Sequence, residues 1–226
     1  MLSFSQFAIY AIPVLFALIH FLEFSSYYCR IAGLQTGAKV LSYSYQQMFF
    51  VGTRFFFIAL MPLIGFVVDS KVSVDSYILM LHFSMLLSGL AYIISYLLKD
   101  KIISIVKNRL DTSTKISAEF NEVSILLIMK NKKLIFLSSI VFCCYALGVF
   151  LAFYYALSYY EYRATISQLS GVVNGLATVL LTFIVEPILA REIDKDNPDA
   201  INMIFSLLFG RFIGVCLLTH AIIFLV

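Results

Sequence analysis

The sequence predicts an all-α integral membrane protein with about six transmembrane helices, which form a single membrane domain over residues 1–226. Of the 226 residues, 62% are hydrophobic and 13% are charged, about half the charged share of an ordinary soluble protein. Six segments are long enough to cross a hydrocarbon core about 30 Å thick, which takes roughly 20 apolar residues. Lys and Arg are also distributed unequally among the connections between these segments.

The six predicted spans cover, in chain order, about 4–29, 44–68, 76–98, 134–159, 164–188 and 201–225. The third and fourth carry no Lys, Arg, Asp or Glu, and the fifth carries only Glu186. The first, second and sixth are interrupted by ionisable side chains. No Lys or Arg precedes the first span, so we expect a retained helix rather than a cleaved signal peptide.

The distribution of positive charge predicts the orientation. Among the 16 Lys and Arg, Arg54 and Arg211 fall inside spans, and only Lys71 and Arg163 fall in the second and fourth connections. All the others fall in the first, third and fifth connections. The positive-inside rule therefore predicts that these three connections are cytoplasmic and that both termini lie outside.

The third connection, residues 99–133, is too long for a simple loop. Four apolar residues share one helical face there: Ile102, Ile103, Val106 and Leu110. We expect either an amphipathic helix on the cytoplasmic leaflet or a solvated helical linker. A second helical stretch is predicted over 120–129, after a break at 111–115.

Two arginines are predicted to lie near the membrane midplane. Arg54 and Arg211 are each about ten residues into a span, and Asn174 reaches a similar depth in the fifth. A buried Arg costs at least ~2.5 kcal/mol and does not deprotonate. Each arginine therefore needs an acid, a water-filled cavity or an anionic ligand.

The acidic residues are predicted to lie near the ends of the spans. Glu23 and Glu186 are placed toward the cytoplasmic ends of the first and fifth spans, and Asp69 at the outer end of the second. This leaves a shortage of midplane carboxylates and favours a wet, cationic cavity, in which Arg suits phosphate oxygens. The alternative is that each arginine pairs with backbone carbonyls or with a Glu of a tilted helix.

Polar residues also follow helical spacing. One arc of the first span carries four of them: His20, Glu23, Tyr27 and Arg30. His20 and Glu23 are candidates to pair and to carry a proton. The alternative is an interfacial cluster whose long side chains reach the cytoplasmic surface. On the second span, Gln47 and Arg54 share a face.

Glycines at G-x-x-x-G spacing predict close helix packing. Gly171 and Gly175 have this spacing in the fifth span, and Gly210 and Gly214 have it in the sixth.

A short internal sequence similarity predicts two inverted three-helix repeats, an arrangement common in transporters. Residues 26–30 read S-Y-Y-C-R and residues 158–163 read S-Y-Y-E-Y-R. Each is followed by a span that ends with a proline and an acid: Pro62 with Asp69, and Glu186 with Pro187. The alternative is coincidence in a Tyr-rich chain.

No pattern typical of an enzyme occurs, so we expect neither catalysis nor a metal or other cofactor. The cysteines show neither C-x-x-C nor metal-site spacing, which predicts buried reduced thiols: Cys29, Cys143, Cys144 and Cys216. The net charge of +3 is too small to indicate nucleic acid binding.

Two stretches resemble the Amj family, the alternate lipid II flippases of bacteria. Residues 28–70 contain R-I-A-G-L-Q-T at 30–36, Thr53-Arg54 and Val68-Asp69. Residues 173–182 read V-N-G-L-A-T-V-L-L-T and are followed by Glu186-Pro187, where the family has an Asp before the proline. The two matches cover about a third of the chain, in the family's order.

The resemblance implies a multi-pass protein of the bacterial cytoplasmic membrane that moves lipid II, an undecaprenyl-pyrophosphate-linked precursor, to the outer leaflet. Under this hypothesis, Arg54 and Arg211 bind the pyrophosphate and Arg30 captures it at the cytoplasmic side. Asn174 bonds sugar or phosphate oxygens.

The acids take supporting roles under the same hypothesis. Glu23 and Asp69 hold the arginines between turnovers, and Glu186 completes the candidate site. His20 with Glu23 offers proton coupling, and six spans form a small shell for a large head group, which favours a homodimer. Two alternatives stay open: a transporter of another anionic polyprenyl-linked lipid, or a scaffold that recruits cell-wall enzymes through residues 99–133.

Overall fold

The computed structural model describes residues 4–110 and 119–225, and these residues are predominantly α-helical. The α-helices follow in chain order: α1 Phe4–Thr36, α2 Lys39–Asp69, α3 Val74–Leu97, α4 Lys99–Lys107, α5 Ile125–Lys130, α6 Lys132–Ser158, α7 Arg163–Leu180, α8 Glu186–Asp194, α9 Ala200–Phe212 and α10 Thr219–Ile223. No strand occurs within the described ranges.

Six helical segments are long and apolar enough to cross a membrane. Four of them are the single helices α1, α2, α3 and α6. The fifth runs over Tyr160–Asp194 and includes α7 and α8, and the sixth runs over Ala200–Ile223 and includes α9 and α10. The predicted all-α fold with about six spans is confirmed. Two helices reach further than the predicted spans, since α1 continues to Thr36 and α2 begins at Lys39.

A π-helical segment, Leu181–Val185, joins α7 to α8. Pro187 follows two residues after the end of this segment. Its ring has no N–H and crowds the carbonyl four residues earlier, which a normal α-helical turn does not accommodate. The wider π turn absorbs this conflict and rotates the rest of the helix by up to about 100° for each inserted residue. Glu186 at the start of α8 thereby faces α1.

The spans form two groups of three. In the first group, α1 packs on both α2 and α3, and in the second, α6 packs on both α7 and α9. The leading helix of each group thus contacts the two that follow it. Two three-helix repeats would have this arrangement. That the two groups are repeats of one another stays a prediction. Contacts of α1 with α9, and of α2 and α3 with α6, join the groups.

The glycines of the sixth span pack closely against a neighbouring helix, as predicted. A Cβ at Gly210 would lie 2.0 Å from Ser138 Oγ, and a Cβ at Gly214 would lie 2.3 Å from the Ser139 carbonyl oxygen. Close packing of the sixth span is therefore confirmed, with α6 as its partner.

The prediction was wrong for the fifth span. A Cβ at Gly171 or Gly175 would meet no atom within 4 Å. The reason is that α7 packs on α6 through a different face, where a Cβ at Gly148 would lie 2.8 Å from the Val173 side chain.

Helix α4 forms where the apolar pattern predicts a helix, but its apolar face does not lie on a leaflet. Val106 and Leu110 are buried in a small cluster with Cys29 and Ala32 of α1. The leaflet prediction was wrong because α1 runs on to Thr36 and offers small side chains to pack against. The predicted break at 111–115 lies outside the described residues.

The second half of the connection is bonded to α9. The Asn202 side chain accepts from the Ser124 backbone N–H at 3.0 Å and donates to the Glu122 carbonyl at 3.1 Å. Asn131 donates to the Ser206 hydroxyl at 3.0 Å. Residues 119–131 are thus part of the helical bundle at its basic end, by which we mean the end that carries the connections rich in Lys and Arg.

Candidate functional site

A cavity of about 280 Å³ lies between four of the spans. Helices α1 and α6 form its back wall, and α2 and α7 form its two side walls. The lining side chains are Phe16, Ile19, His20 and Glu23 of α1, Phe50, Arg54, Phe57 and Met61 of α2, Tyr145 and Val149 of α6, and Ser170, Gly171, Asn174 and Thr178 of α7. We call this space the central cavity.

Arg54 supplies the unpaired positive charge of the central cavity. Its guanidinium lies 5.8 Å from the ring centres of Phe50 and Phe57, one helical turn to either side on α2. No carboxylate of the described residues lies within 4 Å of it. The Arg54 side chain is exposed, so its guanidinium is available to an incoming anion.

Asn174 stands on the α7 side wall. Its amide oxygen is buried and has no hydrogen-bond partner among the described residues. The oxygen lies close to Gly148 of α6, where an added Cβ would come within 3.0 Å of it. An unpartnered amide at a cavity wall is suited to bond a ligand or an ordered water.

Arg211 is fully buried and paired. It donates to the Glu23 carboxylate, and its Nε donates to the Tyr92 hydroxyl at 3.1 Å. Its guanidinium also lies 4.2 Å from the Phe142 ring centre. The predicted shortage of midplane carboxylates is thus wrong for this arginine. Because α1 ends at Thr36 instead of near 29, Glu23 lies about one turn past the middle of the helix.

His20 bonds across the bundle and not to Glu23. Its Nδ1 lies 2.5 Å from the Tyr92 hydroxyl and 3.3 Å from Nη2 of Arg211. Arg211 is therefore the group that links His20 to Glu23. The Glu23 carboxylate also reaches α2, where the Thr53 hydroxyl lies 3.4 Å away.

Arg30 is the centre of a second buried polar group, at the basic end. Its Nη2 donates to Glu186 at 2.7 Å and its Nε donates to Gln46 at 2.5 Å. The Tyr27 hydroxyl donates to the other oxygen of Glu186 at 2.9 Å. Arg30 is only 5% exposed, so it does not reach the cytoplasmic surface as the interfacial alternative requires.

Asp69 pairs with neither midplane arginine. Its carboxylate accepts from Arg163 Nε at 3.0 Å, where the end of α2 meets the start of α7. It therefore does not hold Arg54 or Arg211 in this conformation. The sequence pattern had placed Arg163 in a connection and at the end of the second S-Y-Y copy, but had given it no role at the candidate site.

A second cavity of about 380 Å³ opens at the basic end. Arg30 and Glu186 line it together with Lys39 and Tyr43 of α2 and Asp194 of α8. The Arg30–Glu186 pair thus stands beside a space at the basic end, while Glu23, two turns away on the same helix as Arg30, faces the central cavity.

The sequence pattern missed three polar partners. Gln46, and not Gln47, is buried and accepts from Arg30 Nε. Tyr92 and Thr53 were indistinguishable by spacing from the many other hydroxyl side chains of the spans. Within residues 4–110 and 119–225, no group of three or more His, Cys, Asp or Glu is placed to hold a metal ion.

Comparison with known proteins finds one family. Residues 113–225, half of the chain, match the family model Amj, described as alternate to MurJ. The matched region includes the 173–187 stretch and excludes the 28–70 stretch. No curated protein and no solved structure matches the chain.

Proposed function

The chain belongs to the Amj family, and from this premise we propose that it translocates lipid II from the inner to the outer leaflet. The helical bundle serves as the path for the head group, while the polyprenyl tail stays in the bilayer. The positive-inside rule assigns the basic end to the cytoplasm, where the precursor would enter.

The observation that carries this proposal is the free guanidinium of Arg54 in the central cavity. An unpaired arginine at this depth is costly unless water or an anion attends it. The pyrophosphate of a polyprenyl-linked precursor supplies such an anion and presents oxygens that Arg binds in a fork. The NH₂ group of Asn174, on the α7 wall of the same cavity, offers a neutral donor to the phosphate oxygens.

The other charged residues take different roles in this proposal. Arg211 stays with Glu23 and fixes α1 against α9, so the charge of the cavity comes from Arg54. Arg30 is the first contact at the cytoplasmic side, with Glu186 as its counter-ion when no substrate is bound. The central cavity, at about 280 Å³, has room for a pyrophosphate but is small for a sugar–peptide head group. The bundle must therefore widen during transport.

The test is complementation in a bacterial host depleted of its essential lipid II flippase. Lipid II that reaches the outer leaflet is labelled from outside, in cells that express the native chain or Arg54→Ala. We expect the native chain to restore labelling and growth and Arg54→Ala to restore neither. Arg191→Ala removes the same charge from an exposed position on α8 and should behave as the native chain.

The outcomes separate the candidate functions. Equal rescue by Arg54→Ala and the native chain would contradict the role of Arg54. A native chain that inserts but does not restore outer-leaflet lipid II would favour another anionic polyprenyl-linked lipid. If growth recovers without labelling, and only charge changes within 99–133 abolish it, the scaffold is favoured instead.

A further inference from the structure

Two ion pairs in the structure are exchanged between the two groups of helices. Arg30 of the first group pairs with Glu186 of the second at 2.7 Å, and Arg163 of the second pairs with Asp69 of the first at 3.0 Å. In the sequence, each arginine follows an S-Y-Y motif, and each acid comes late in the span that follows. Each copy of the motif thus pairs with the acid of the other copy.

The two ion pairs lie at opposite ends of one seam. The seam runs between α2 on one side and the continuous α7–α8 helix on the other. Helix α2 packs mainly on α1, and α7 packs mainly on α6. The central cavity lies between them, with Arg54 on the α2 side and Asn174 on the α7 side. Gly171 and Gly175 leave open space along the α7 edge of the seam.

Polar bonds close the seam at the basic end. Arg30 bridges it, because it bonds Gln46 of α2 and Glu186 of α8 at once. Lys39 at the start of α2 adds a second bridge, with its ammonium 2.8 Å from the carboxylate of Asp196. The same ammonium lies 3.3 Å from the carbonyl of Asp194 at the end of α8.

A smaller set of bonds closes the seam at the opposite end. Arg163 bonds Asp69 and stacks on the Tyr160 ring at 4.3 Å. The Tyr160 hydroxyl donates to the Asp69 carbonyl at 3.3 Å. The ammonium of Lys71 lies 4.4 Å from the centre of the same ring.

We propose that the exchanged pairs Arg30–Glu186 and Arg163–Asp69 are the two gates of the central cavity, one at each end of the seam. This inference rests on the proposed transport function and names how access to its site is controlled. Opening one gate while the other stays closed gives the head group access from one side at a time. Because the seam runs between two helices along the length of the bundle, the head group can move inside it while the lipid tail remains in the bilayer.

The gates differ in burial, which determines how each opens. The side chains of Arg163 and Asp69 are 42% and 63% exposed, whereas those of Arg30 and Glu186 are 6% and 19% exposed. An exposed pair contributes little and separates readily in water. Separating the buried pair leaves an unpaired charge, so it needs a replacement partner. A phosphate that takes the place of Glu186 on Arg30 provides one, which couples opening of the basic end to arrival of the anion.

The test measures access to the cavity directly and does not depend on a transport readout. Ser170 lines the central cavity and is replaced by Cys, which differs by one atom. The rate of labelling by a membrane-impermeant maleimide is measured on intact cells, and the rate for the parent chain without this cysteine is subtracted. Asp69→Asn should raise the labelling rate about fivefold. This is the population shift expected when one exposed ion pair that favours the closed state is lost.

Matched variants define the controls for this gate. Asp75→Asn removes the same charge at the same end but lies at the exposed start of α3, and it should leave the labelling rate unchanged. The exchanged double variant, Asp69→Arg with Arg163→Asp, rebuilds the pair in reverse and should return the rate to that of the parent. A labelling rate that is the same in the parent, in Asp69→Asn and in the exchanged double variant would overturn the proposal.

The basic end is tested on inside-out vesicles with the same cysteine. Glu186→Gln should raise labelling from that side more than about tenfold, because Arg30 loses its buried counter-ion. Glu122→Gln, at an exposed position of the same end, is the control. Labelling changes with no lipid II transport would retain the gates and reject the transported lipid, whereas transport with unchanged labelling in every variant would reject the gates alone.

Discussion

Arg211 and Glu23 form a buried ion pair that joins α9 to α1, while Arg54 on α2 has no such partner among the described residues. Both arginines sit about ten residues into a predicted span, and both are costly in a membrane. Only the packing of the helices separates their roles. Arg211 becomes a structural charge bonded to Glu23 and Tyr92, and Arg54 becomes the cation that faces the central cavity.

Removing the charge of Glu23 should destabilise the fold. Glu23→Gln leaves the guanidinium of Arg211 without a carboxylate, and loss of one partner of a buried pair costs ~3–5 kcal/mol. Thermal unfolding of the detergent-solubilised protein measures this loss. Glu161→Gln, at an exposed position, is the control. Recovery of stability by Glu23→Leu with Arg211→Met is expected, and its absence would count against a purely structural pair.

The hydroxyl of Tyr92 should contribute to stability through its position between His20 and Arg211. Tyr92→Phe keeps the ring and removes the hydroxyl, which lies 2.5 Å from His20 Nδ1 and 3.1 Å from Arg211 Nε. We expect a loss of ~1–3 kcal/mol, since buried polar atoms are left without partners. The same unfolding measurement applies. Tyr96→Phe at a half-exposed position of α3 should lose much less, and an equal loss would contradict this interpretation.

A carboxylate placed in the central cavity should stop transport without unfolding the protein. Asn174→Asp keeps the shape of the side chain and adds a negative charge in the cavity that contains Arg54. The added charge offsets the attraction for an anionic head group, and we expect at least about tenfold slower transport of lipid II. The outer-leaflet labelling assay gives the rate, and unfolding gives the stability. Asn108→Asp, at an exposed position, should keep the native rate.

Two glycines with the same sequence spacing should respond differently to substitution. A Cβ at Gly210 would lie 2.0 Å from Ser138 Oγ and 2.4 Å from the Ile135 carbonyl oxygen, whereas a Cβ at Gly175 would meet nothing within 4 Å. Gly210→Ala should therefore destabilise the protein by ~1–3 kcal/mol through overpacking. Gly175→Ala should not destabilise it. Unfolding midpoints of the two variants that coincide would contradict the observed packing of α6 on α9.

The spans and the polar arc of α1 could be predicted from the sequence because both depend on local pattern. Hydrophobic length fixes where a helix must cross, and helical spacing places His20, Glu23, Tyr27 and Arg30 on one side of α1. The structure shows each of these side chains bonded inside the bundle. The partners could not be predicted, because they come from α3, α8 and α9, which are distant in sequence.

The same reason explains the two packing predictions that were wrong. Small residues at G-x-x-x-G spacing permit close approach but do not say which face of a helix will be used, so Gly210 is packed and Gly171 is open. The apolar face of α4 could be covered by lipid or by protein. The choice depended on the length of α1, which hydropathy alone placed too short.

By itself, the sequence determined that this chain crosses a membrane about six times, that its positive charge collects in alternate connections, and that it buries arginines. The spans and the scarcity of charge within them follow from the cost of exposing polar groups to hydrocarbon, and the placement of Lys and Arg follows the positive-inside rule. Both act on each segment separately. Tertiary structure alone decided which arginine is neutralised, which one faces the cavity, and that Arg30 and Arg163 each bond the acid of the other group of helices. Those outcomes depend on how far each helix extends and on how the π-helical segment Leu181–Val185 rotates α8. Both are settled by packing between distant segments.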